Sequence, residues 1–116
     1  MNEFFLLLHD LPNNKFQAMS PEDMQREVAR YTDWASGLAA QGKLKGGQKL
    51  EDNTARHMVG PAGRITITDG PYPETKEVVG GYFILLASSY DEAVELASTC
   101  PHLEHGRIEV RRVDKM

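Results

Sequence analysis

The chain is poor in cysteine, has no long apolar run and carries no surplus of positive charge. Each shortage removes a class of protein. A single cysteine, Cys100, leaves nothing to pair with inside the chain, so no internal disulfide is expected. No apolar run approaches the roughly 18 residues that a membrane-spanning helix needs, so no membrane role is expected. The opening stretch MNEFFLLLHD has no basic segment and a short apolar run. It does not read as a secretory signal, and a cytoplasmic location is expected. With 13 Lys and Arg against 17 Asp and Glu, the formal net charge is −4, which argues against a nucleic-acid partner. G-x-S-x-G, P-loop and G-x-G-x-x-G motifs are missing, so the common hydrolase and nucleotide-binding classes lose their usual support, and no cofactor is expected.

What is present describes one globular domain, residues 1–116. Hydrophobic residues make up 41% and charged residues 26% of the 116, an ordinary balance for a chain that forms its own core. Residues 4–8, FFLLL, are apolar without a polar face and read as a central strand, ending at His9-Asp10. Pro12 and two asparagines make 11–19 a loop. Ser20 caps a helix that opens with Pro21, Glu22 and Asp23 and runs to Gly42. Met24, Val28, Tyr31, Ala35 and Leu38 form its apolar stripe, with Trp34 beside it. Leu44–Leu50 is a weak strand whose Gly46-Gly47 pair suggests a bulge or a close backbone approach. Ala55–Val59 and Arg64–Thr68 read as short strands around the turn Gly60-Pro61-Ala62-Gly63, with Ile65 and Ile67 inward and Asp69 on their side. Gly81–Ala87 is a second doubly apolar strand. Ser89 to Glu92 is a capping box for a second helix, with Tyr90, Ala93, Val94 and Ala97 as its buried stripe. Residues 107–113 close the chain as an alternating strand.

The order strand, helix, strand, hairpin insertion, strand, helix, strand fits an α+β ferredoxin-like sandwich with both helices on one face of the sheet. FFLLL and YFILL are apolar on both faces, so the second face needs a cover, and a homodimer with sheets facing each other is expected.

The segment Asp69-Gly70-Pro71-Tyr72-Pro73-Glu74-Thr75-Lys76-Glu77, followed by Gly80-Gly81-Tyr82, resembles the signature of the YCII-related superfamily in its DGPF-domain branch. Gly42-Lys43-Leu44, Asp91-Glu92-Ala93, Cys100-Pro101 and Ile108-Glu109-Val110-Arg111 extend the resemblance over essentially the whole chain. The resemblance implies a dimeric α+β-barrel built from ferredoxin-like halves. One relative in the wider superfamily is a lyase that removes chloride from a hydroxylated aromatic ring, using a His–Asp pair whose histidine sits on the first helix. Here that helix, residues 21–41, contains no histidine, and Tyr31-Thr32 stand at about its place. Members of the DGPF branch are often encoded beside extracytoplasmic-function sigma factors, which implies a non-catalytic regulatory dimer as the alternative to an enzyme or binder.

The candidate site gathers residues at strand ends and in the polar loop. Asp69, Glu74 and His9 are the candidate acid–base groups. Lys76, Asp10, Tyr72 and Trp34 are the candidate ligand-binding groups for a small aromatic or anionic molecule. Each has a plainer reading. Asp69-Gly70-Pro71 is ordinary turn chemistry, the 74–77 cluster fits a solvated loop or a dimer seam, and the aromatics fit core packing. His9 shares the parity of Phe5 and Leu7, and Asp10 that of Leu6 and Leu8, so within the strand the two point to opposite faces, while a bend there would still let both reach the sheet's end. His102, Glu104 and His105 lie close in sequence, but a zinc site needs more ligands in paired spacing, and no metal is expected.

Overall fold

A computed structural model describes residues 1–10, 19–52, 54–70 and 78–115. Four strands form an antiparallel sheet: β1 (Asn2–Asp10), β2 (Leu44–Lys49), β5 (Val78–Ala87) and β6 (Gly106–Arg112), in the order β2-β5-β1-β6. With the hairpin β3 (Arg56–Val59) and β4 (Thr66–Asp69) set aside as a separate two-stranded sheet, this is the ferredoxin-like strand order. Helices α1 (Pro21–Ala40) and α2 (Tyr90–Ala97) make the connections, and a short 3-10 turn, Pro101–Glu104, precedes β6.

Local chemistry sets the helix ends. The Ser20 hydroxyl accepts the Asp23 amide at 3.1 Å, and Pro21 occupies the first turn. Gly42 follows the C-terminus with φ 71°, a left-handed position that glycine adopts without a Cβ penalty. The Ser89 hydroxyl accepts the Glu92 amide, while the Glu92 carboxylate accepts the Ser88 amide at 2.7 Å, so the capping carboxylate bonds one residue earlier than the sequence pattern suggests.

The alternation along β1 divides the molecule. Phe4, Leu6 and Leu8 point to the helices and are buried, together with Leu85, Ala87, Ala93 and Ala97. Their burial follows the hydrophobic driving force, which is proportional to apolar area removed from water. Phe5, Leu7 and His9 point the other way, beside Tyr82, Ile84, Glu109 and Arg111 across the ladders. Phe5 and Tyr82 stack there with ring centroids 5.1 Å apart. This face is only partly covered, and the molecule is a slab of 46 × 44 × 18 Å.

Three expectations are corrected. Ile65 and Ile67 are 44% and 53% exposed, because β3 and β4 pair with each other and stand apart from the main sheet. Asp69 shares that exposure and ion-pairs with Arg56 across the hairpin. In α2 only Ala93 and Ala97 are buried; Val94 faces solvent, and Tyr90 is half exposed with its ring edge on Phe4.

Candidate functional site

A cavity of about 330 Å³ lies between α1 and the sheet. Helix α1 contributes one face of its apolar stripe: Met24, Val28, Tyr31 and Ala35, with Thr32 and Ser36 beside them. The sheet contributes Leu8 and Asp10 from β1, Gly47 to Lys49 from β2, and Gly80, Gly81 and Phe83 from β5. Asp52 and His102 close the polar end. The sheet side of this gap carries glycine at positions where a Cβ would crowd its neighbours. A Cβ on Gly47 would stand 2.5 Å from the Phe83 ring, and one on Gly81 would stand 3.0 Å from the Gln48 carbonyl.

Gly80 is the extra residue of a bulge, since Leu8 pairs with Gly81 and His9 with Val79. A Cβ on Gly80 would stand 1.9 Å from Asp10 Oδ2, so the Asp10 carboxylate occupies the space that this glycine leaves. Gly106 does the same for the neighbouring group: its Cβ would stand 2.0 Å from the His9 carbonyl oxygen and 3.1 Å from His102 Nε2.

The polar end has a defined hydrogen-bond order. Burial pushes the Tyr31 phenol well above its ordinary range, so it keeps its proton and donates to His102 Nδ1 at 3.0 Å. His102 Nε2–H donates to the His9 carbonyl at 2.9 Å. These partners fix a neutral imidazole with its proton on Nε2. Burial lowers the His102 pKa, and its bond to the His9 carbonyl only partly offsets that. Asp10 Oδ1 lies 3.6 Å from His102 Nε2, beyond hydrogen-bond range but close enough for charge to be felt. Burial raises the Asp10 pKa; His102 and Lys49 pull it down and Asp52 pushes it up. Both nitrogens of His102 are committed to the protein. Asp10 is the group at this end that lines the cavity with its pKa raised by burial.

The expected site residues fall in different places. Asp10 lines the cavity. His9 points to the opposite face, where its Nε2 meets Glu109 Oε1 at 2.9 Å, and this contact holds the Glu109 carboxyl below its ordinary pKa. Trp34 stands behind the cavity: its indole packs edge-on to Phe83 at 5.1 Å and donates to the Thr99 hydroxyl. Asp69 lies on the hairpin rather than at the cavity, beside a separate open recess that it lines with Arg56. Tyr72, Glu74 and Lys76 lie outside the described residues. His102 and His105 diverge, toward Asp10 and toward Glu27 at 3.5 Å.

In the sequence His102 reads only as part of a metal pattern, Asp52 only as a turn residue, and Lys49 carries no signal of a site. Nothing local marks them. The ladder register brings His9 beside Arg107 and Asp10 beside Gly106, and so carries the turn before β6 to the end of β1.

A profile of the YCII-related domain matches residues 3–116. The chain belongs to the YCII-related family. Comparison with curated proteins finds no match. Among solved structures, the chain is similar to a 5-chloro-2-hydroxyhydroquinone dehydrochlorinase from Burkholderia phenoliruptrix AC1100, determined in complex with 2,5-dihydroxybenzoquinone. The TM-score is 0.55 and the identity 17%, over 98% of this chain and 95% of that one. At that identity the likeness establishes the shared α+β fold of this YCII-related chain. No helix among the described residues is long and apolar enough to cross a membrane.

Proposed function

We propose that this YCII-related protein binds a small organic molecule in the cavity under α1, with Asp10 as the group that moves a proton. The observation that carries the reading is the Asp10 carboxyl, set by Gly80 at the polar end of an otherwise apolar cavity and made more basic by its burial. A carboxylate in that position suits lyase-like chemistry. It takes a proton from the ligand while an anion such as chloride leaves from a neighbouring atom and a double bond forms, with no net oxidation. The structural neighbour is a dehydrochlorinase determined in complex with 2,5-dihydroxybenzoquinone, which agrees with this class. Tyr31 and the His9 carbonyl hold His102 so that its ring orients and polarises Asp10 without exchanging a proton itself.

The working form in this proposal is a homodimer, the two open sheet faces closing on each other as a dimeric α+β-barrel. Phe5, Leu7, Tyr82 and Ile84 supply an apolar patch on that face. The Cα radius of gyration, 15.9 Å, exceeds the roughly 13 Å of a compact chain of this length. The hairpin standing apart accounts for part of that excess, and the apolar patch supports a partner sheet.

A thermal-shift panel of hydroxylated and chlorinated aromatics, small carboxylic acids and phosphates tests the reading. A ligand at one hundred times its dissociation constant adds about 2.7 kcal/mol, a shift of roughly 10 °C in a domain of this size. Asp10→Asn is expected to lose turnover at least a hundredfold while remaining folded. No shift with any class would overturn the binding reading and favour a protein partner such as a sigma factor.

A further inference from the structure

Resting on that reading, we infer that the cavity selects an uncharged, flat molecule bearing a hydroxyl group, and discriminates against carboxylates and phosphates. Three observations carry it. The first is charge. Among the described residues the lining holds two carboxylates, Asp10 and Asp52, against one ammonium, Lys49. That ammonium is already engaged, 3.1 Å from Asp52 Oδ1 and 3.0 Å from the Leu50 carbonyl. His102 adds no positive charge while its two nitrogens face Tyr31 and the His9 carbonyl. An anion entering beside Asp10 thus meets a like charge in a site with low dielectric, and must lose its own hydration as well. Only protonating Asp10 relieves the repulsion. A hydroxyl group does the opposite, because it donates to the carboxylate and satisfies it.

The second is shape. Gly47 and Gly81 line the sheet side without side chains, and Thr32, Ala35 and Ser36 give the helix side short residues. Leu8, Met24, Val28 and the Phe83 ring complete the apolar lining. A planar ring lies between a glycine-lined sheet and short helix residues more readily than a branched chain of equal volume. The third is size. About 330 Å³ stands near the bottom of the range for ligand pockets, which suits a single substituted ring.

The groups facing Asp10 also fix the pH dependence. Burial and Asp52 oppose its ionised form, Lys49 favours it, His102 and His105 favour it only when protonated, and Tyr31 stays neutral. Because the hydroxyl donates to an ionised Asp10, binding of a neutral phenol strengthens as pH rises through the Asp10 titration. Binding of a carboxylate weakens over the same window.

Matched probes test this on the intact protein. Phenol and catechol are titrated against benzoate, and hydroquinone against inorganic phosphate, with dissociation constants read by ligand-detected NMR at neutral pH. The hydroxylated probes should bind at least about tenfold more tightly than benzoate, with phosphate weaker still. Asp10→Asn, checked for folding by its thermal midpoint, should narrow the phenol–benzoate gap to within threefold by admitting benzoate. Benzoate or phosphate binding within threefold of the phenols in the native protein overturns the selectivity and leaves the binding reading standing. A native gap that Asp10→Asn leaves unchanged overturns the assignment to Asp10. Failure of every probe to bind overturns the cavity reading itself.

Discussion

Asp10 and His102 titrate in ways that should be visible in stability. Burial raises the folded-state pKa of Asp10 above the unfolded value of about 3.9. Between those two values the folded chain holds a proton that the unfolded chain has lost, so this group reduces stability as pH rises through the window. Asp10→Asn removes that titration. Its thermal midpoint, compared with the native protein at about pH 4 and about pH 7, should gain on the native one as pH rises. His102 acts at the other end. Its folded pKa lies below the unfolded value of about 6.5, so on acidification the unfolded chain takes up the proton first. Stability is therefore lost as pH falls from about 6.5 toward the folded value, and His102→Gln should flatten that part of the curve in a series of urea melts. Gly80 belongs to the same residue-scale device. Adding one methyl, Gly80→Ala, sets an atom where Asp10 Oδ2 now sits. The expected cost is about 1–3 kcal/mol with loss of ligand binding, and Asp10→Ala in the same chain should recover most of the stability, a non-additivity that a double-mutant cycle reads directly.

At the scale of elements, α1 does two jobs with one amphipathic face. Its C-terminal part, ending at buried Leu38, packs on the core, while Met24, Val28, Tyr31 and Ala35 roof the cavity. A roof over empty space loses the contacts that a packed helix would have, so its first turn depends on its cap. Ser20→Ala should cost about 1 kcal/mol and lower the thermal midpoint by roughly 4 °C, measured by circular dichroism. The same helix was legible in the sequence from Ser20 to Gly42, because capping, proline placement and the stripe are local chemistry that survives folding. The hairpin was legible as two short strands but not in its orientation. Ile65 and Ile67 alternate as a buried strand face would, yet alternation states only that two residues share a side. Which side meets a core depends on where the hairpin is carried, and here it is carried away from the main sheet.

At the scale of the whole molecule, helices pack one sheet face, and the other is only partly covered among the described residues. In the proposed dimer a charge placed in the open patch, as in Ile84→Asp, should leave the monomer fold intact. It should convert a species of twice 13.0 kDa to one of 13.0 kDa in analytical ultracentrifugation. A native protein that sediments as a monomer would remove the barrel from the proposal.

The sequence by itself determined the element order, the helix caps, the YCII-related membership carried by the block around Asp69 and Gly80-Gly81, and the opposite facing of His9 and Asp10. All of these rest on neighbours in the chain: turn chemistry, periodicity of two or 3.6, and motif spacing. Only the tertiary structure decided which polar residues share a site. Asp10 lies beside His102, and His102 bonds Tyr31 and the His9 carbonyl, because β6 pairs with β1 and α1 crosses above them, contacts between residues 71 to 93 positions apart. No local pattern encodes such a meeting. It follows from sheet register and from two glycines, Gly80 and Gly106, whose missing side chains leave room for it.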